Sequence, residues 1–190
     1  GVIQFIQKEL AGSKFVPVNK PDGGGVTGMV ETANAKPNGH TLGMVTVELA
    51  MFPHQGKCKN TYADYSAICA PIAAPAALIV AKEAPFNSVD EFVAHAKANP
   101  GKVQMGNSGI GAIWHLAAAG LASIAETEFT HVGYDGAAGA ITDLLGGHID
   151  ATAVSYSEVN SFVQSGELKV LAVLSNNRLA AIPEVPTAIE

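Results

Sequence analysis

Between residues 102 and 175, four short strand-like runs alternate with three runs of helix length, and few folds accommodate that rhythm. The strand-like runs are 102–106, 128–134, 149–155 and 168–175; the helical ones are 110–125, 137–147 and 157–166. Such alternation predicts a parallel α/β sheet with helices packed on its faces. In the first of these helices Ile113, Leu116, Ala117, Gly120, Leu121 and Ile124 fall on one side at helical spacing. A further helix is predicted over 88–99. Ser88 and Glu91 open it as a capping box, and Asn99-Pro100-Gly101 stops it. Upstream the rhythm repeats: a helix over 2–11, a strand over 15–19, a helix over 26–35, a strand over 41–47 and a short helix over 48–52. Residues 65–81 read as one or two extended segments around Pro71 and Pro75.

The chain has 190 residues, long for one small domain and short for two complete ones. Its 48% hydrophobic and 15% charged content suits a packed core rather than disorder. The net charge of −6, with no basic stripe, speaks against a nucleic-acid partner. No apolar run reaches the roughly 20 residues that span a bilayer, so no direct membrane insertion is expected. The six histidines form no H-x-x-x-H pair, which leaves no metal expectation. The two cysteines allow a disulfide, or else a loop thiol at Cys58 and a small buried residue at Cys69. No signal peptide is visible, yet both ends read as cut inside structured segments, so export stays open.

The stretch "GNSGIGAIWHLAAAGLA" over 106–122 carries the chemistry. Gly106, Gly109 and Gly111 give G-x-x-G-x-G, one residue short of the short-chain dehydrogenase pattern and distinct from G-x-G-x-x-G. A catalytic Y-x-x-x-K is missing, and Tyr156 leads only to Asn160. "GGGVTG" over 23–28 lacks the Lys-Ser/Thr of a phosphate loop and reads as a tight turn. A Ser108–His115–Asp143 triad can be drawn, but without a G-x-S-x-G elbow. An α/β enzyme of dehydrogenase or hydrolase type using the Gly106–Gly111 loop is therefore the alternative. The favoured reading is simpler. A strand leads through a glycine loop into a helix whose first N–H groups lack internal partners, which makes an anion site, with Ser108 as its cap. "HVGYDGAAG" over 131–139 repeats the device, and in a parallel sheet both loops share the carboxyl edge.

Four blocks also carry a family resemblance. "YDGAAGAITDLLGGHIDA" resembles the Y-x-G-x-x-x-A-x-T-x-L-L-G-G-x-V-D block of the tripartite tricarboxylate transporter solute receptors, the Bug or TctC-like proteins. "NKPDGGGVTGMVETANAKPNGHTL", "NSGIGAIWHLAAAGL" and "GELKVLAVLSNNRLAAIPEVPT" resemble three more of their segments, in order. The resemblance implies a two-lobe, type II periplasmic-binding-protein-like α/β fold with parallel, doubly wound sheets, the first lobe incomplete. It implies a periplasmic or otherwise extracytoplasmic bacterial receptor that binds a small carboxylate in an interlobe cleft and delivers it to membrane transporter subunits. No catalytic residue, metal or cofactor is implied. The expected division is a partial first lobe over 1–81 and a second lobe over 82–190, with self-association through the incomplete lobe. Carried over position by position, the ligand contacts are Thr46, Val47, Glu48, Asn107, Ser108, Gly109, Gly111, His115, Tyr134, Asp135, Gly136 and Ser155.

Overall fold

The structure, a computed structural model, describes residues 7–9, 14–20 and 22–190. They divide into two compact units, Gly1–Ala73 and Ala74–Glu190. The helix expected over 2–11 lies outside the described residues except for 7–9, which are helical.

The second unit is a five-stranded sheet with helices on both faces. Its strands are β1 (Ala76–Ala81), β2 (Gln104–Asn107), β3 (Thr130–Gly133), β4 (Ala151–Ser155) and β5 (Leu168–Leu174), in the order β3-β2-β4-β1-β5. β2 pairs in parallel with both β3 and β4, as the alternation predicts. β1 is the exception, because it lies antiparallel between β4 and β5. It was expected with residues 1–81 of the first lobe, but it sits inside the sheet of the second unit. The physical reason lies in its sequence. "AALIVA" is apolar on both faces, and Ala76–Val80 are all buried, as befits an interior strand covered on both sides.

Strand side chains alternate between faces, so β1 feeds two cores. Leu78 and Val80 pack with Phe92 and Ala96 of α3 (Val89–Ala98) and with Ala118, Leu121 and Ala122 of α4 (Ile113–Ile124). Ala77 and Ile79 pack on the other face with Ala137, Ala140, Ile141 and Leu144 of α5 (Ala137–Leu145) and Val159 of α6 (Tyr156–Gln164). The expected capping box of α3 is half formed. Ser88 Oγ accepts from Glu91 N–H at 3.2 Å, while the Glu91 carboxylate accepts from the N–H of Asn87 rather than that of Ser88.

α4 keeps only part of its expected face: Leu121 is buried and Ala117 packs against the core. It buries Ala118, Leu121 and Ala122, and leaves Leu116, Gly120 and Ile124 outside the core. A helix apolar nearly all round does not fix its own orientation; small residues let it lie close to the sheet, and they took the inner face.

In the first unit, α1 (Val26–Asn34) and α2 (Glu48–Met51) pack through Met29, Leu49 and Phe52. Tyr65 Oη donates to Met29 O at 2.9 Å, and burial pushes its phenol above the usual range. The strands expected over 15–19 and 41–47 have no ladder partners among the described residues, and Val16, Val18, Leu42 and Met44 are exposed. An alternating pattern becomes a strand only where a neighbour supplies the hydrogen bonds. The glycine turn is confirmed as a turn, since Gly23, Gly24 and Gly25 all have positive φ, of 64°, 75° and 94°. Cys58, half-buried, and Cys69, exposed rather than buried, are free thiols. Among the described residues no helix is long and apolar enough to cross a membrane.

Candidate anion site at the carboxyl edge

β2, β3 and β4 run the same way, so their carboxyl ends, Asn107, Gly133 and Ser155, come to one edge of the sheet. From there the chain enters α4, α5 and α6. The first two loops are bound to each other. Tyr134 N–H donates to Asn107 O at 3.0 Å. A Cβ on Gly133 would lie 3.3 Å from the backbone nitrogen of Ile110, and one on Gly109 would lie 3.4 Å from Tyr134 O. Gly109, Gly111 and Gly136 have φ of 120°, 83° and 108°, a region other residues enter only under strain.

The three helix starts differ in what occupies them. α6 is closed by its own capping box: Ser155 N–H and Oγ both donate to Glu158 Oε2, at 3.1 and 2.8 Å. Ser157 Oγ lies 2.9 Å from Ser155 Oγ. A carboxylate of the chain itself already sits at that positive helix end. α4 and α5 have no such closure, since neither Ala112 nor Gly136, their N-caps, makes a side-chain cap. The helix expected from residue 110 begins at Ile113, and Ser108, expected as its cap, does not cap it. In its place Asn107 Oδ1 accepts from Gly109 N–H at 3.1 Å, and His115 Nδ1 accepts from Gly111 N–H at 3.2 Å.

Asn107 is fully buried, and its Nδ2 has no partner among the described residues. A buried amide donor without a partner is a group that an acceptor oxygen, such as that of a carboxylate, can satisfy.

The remaining expected residues separate clearly. Tyr134 turns its hydroxyl to α5 and donates to Asp143 Oδ2 at 2.7 Å. Burial, then this hydrogen bond and the Asp143 charge, push the phenol up to about 12. Tyr134 therefore contributes backbone to the loop and keeps its hydroxyl for Asp143. This also takes the acid of the imagined Ser108–His115–Asp143 arrangement, while His115 Nδ1 faces Gly111. Asp135 is exposed. Ser155 lies at the edge with its hydroxyl held by Glu158. Thr46 Oγ1 donates to Glu48 Oε2, and Glu48 sits in the first turn of α2, where an acid is favoured. Val47 is the N-cap of α2.

Two participants escaped the reading of the sequence. Glu158 carried a signal, because Ser155-Tyr156-Ser157-Glu158 is an S-x-x-E capping box. His131 carried none. Its ring meets His115 edge-on at 4.5 Å between centroids, and burial followed by the neighbouring His115 lowers its pKa.

A family model described as the tripartite tricarboxylate transporter family receptor matches residues 2–190. A UPF0065 protein of Bordetella pertussis is 32% identical over 185 residues, 96% of this chain and 57% of its own length. A TctC solute-binding protein from Polaromonas, solved without ligand, is 40% identical, with 90% of this chain and 58% of that one covered, at a TM-score of 0.71. Rpa4515 of R. palustris, solved with adipate, is 28% identical, with 60% of this chain and 38% of that one covered, at a TM-score of 0.58. The chain thus spans a little over half the length of the curated relative.

Proposed function

This chain belongs to the tripartite tricarboxylate transporter receptor family, and from that premise we propose that it binds a small carboxylate at the starts of α4 and α5. The carrying observation is the fully buried Asn107, whose Nδ2 is unpartnered and which ends the strand that leads into the uncapped start of α4. Free N–H groups, the helix dipoles and this amide together offset the cost of taking a carboxylate out of water. Gly109, Gly111 and Gly136 let the anion approach the backbone. The adipate bound by Rpa4515 supports the ligand class. Membership of the family supports, as part of this proposal, delivery of the ligand to a membrane transporter and an extracytoplasmic location. The contributions of Thr46, Val47 and Glu48 rest on the family resemblance alone. The proposed role is reception rather than catalysis.

Asn107→Asp is the sharp test. It keeps an oxygen to accept from Gly109 N–H and replaces the Nδ2 donor with a second, negatively charged oxygen. A charge-assisted hydrogen bond is worth about 1.5–3 kcal/mol, so adipate affinity should fall at least about tenfold, measured by calorimetric titration. Unchanged affinity in a folded Asn107→Asp chain would remove Asn107 from the site.

A further inference from the structure

We propose that the ligand of this edge is a carboxylate whose body next to the anchored group is hydrocarbon rather than hydroxylated, and that Ile110 selects for it; this rests on the receptor reading above. Ile110 stands between Gly109 and Gly111 in the α4 loop and is 63% exposed. Its position is well held. A Cβ on Gly133 would lie 3.1 Å from Ile110 Cγ1, so the isoleucine sits directly over the bare end of β3. The Asn107 amide anchors the same loop through Gly109 and leaves Nδ2 for an oxygen. A carboxylate held there brings its own first carbons to a water-exposed aliphatic side chain of the same loop. Covering that side chain with hydrocarbon is favourable, whereas covering it with hydroxyls strips them of water without giving them partners.

Two hydroxyls of the edge residues reinforce this. Tyr134 Oη is committed to Asp143, and Ser155 Oγ to Glu158. Both are side chains that could otherwise read a polyol acid. Each now lends its proton to a carboxylate of its own helix.

The matched probes are adipate and galactarate, which have the same carbon chain and the same two carboxylates and differ by four hydroxyls. Calorimetric titration of the whole chain should give adipate at least about tenfold the affinity of galactarate. Ile110→Ser should bring the two within about threefold by weakening adipate, while Ile110→Leu should keep the preference. Circular dichroism checks the fold of each variant. Galactarate binding as tightly as adipate, or a preference untouched by Ile110→Ser, overturns the assignment of Ile110 and leaves the receptor reading standing. Failure of both acids to bind overturns both.

Discussion

Ala112 occupies the N-cap of α4 with extended backbone (φ −77°, ψ 169°), the conformation in which a serine or threonine would close the helix, yet it has no side chain to do so. A site that must accept an anion gains from leaving that end open. Ala112→Ser should therefore stabilise the chain by about 1 kcal/mol in urea denaturation and weaken adipate binding, since the new hydroxyl competes for the same N–H groups. A variant no more stable than the parent would mean that the helix end is already satisfied. Tyr134 gives a prediction in pH. Its folded-state pKa of about 12 lies above the ordinary value near 10, so the folded chain holds this proton more tightly than the unfolded one. The stabilisation is complete below pH 10 and is lost as pH rises from about 10 to about 12. The difference in stability between the parent and Tyr134→Phe should shrink across that window; a constant difference would contradict the account. At this scale the sequence was partly legible. The S-x-x-E pattern of Ser155 and Glu158 was there to be read. The link between His115 and Gly111 was not, because it depends on α4 beginning at Ile113 rather than at residue 110.

Among the elements, the four parallel strands and three helices of 102–175 were readable because each is bounded by turn residues and each has one plausible period. β5 over Leu168–Leu174 and α5 over Ala137–Leu145 fall inside their expected ranges. The segments at 15–19 and 41–47 were not readable as unpaired, because pairing is a property of a neighbour, not of the segment. The face of α4 was hidden for a different reason: alanine and glycine look equally good inside and outside. The observed orientation makes a sharp contrast. Leu121→Ala should cost about 2–5 kcal/mol, while Ile124→Glu, at a position 85% exposed, should change stability by no more than about 0.5 kcal/mol. Both are read by chemical denaturation, and comparable losses at the two positions would contradict the face assigned to α4.

For the molecule as a whole, the decisive feature is where β1 lies. It completes the sheet that holds the three helix-bearing strand ends in place, and Ala76 at its beginning pairs with Ser155 at that same edge. An alternating βα pattern cannot announce a strand that enters antiparallel from upstream, so the continuous apolar run of 76–81 was legible as extended but not as interior. Within the second unit the proposed anion site depends on this frame, because the loops after β2 and β3 share an edge only while their strands are parallel neighbours. The central claim is that a carboxylate binds at that edge. An amide-resolved NMR titration of the chain with adipate tests it most directly. The account predicts saturable shifts concentrated in the backbone amides of 107–113 and 135–139 and in the Asn107 side-chain amide. Saturable shifts confined to other parts of the chain, or no shifts at millimolar adipate, would contradict it.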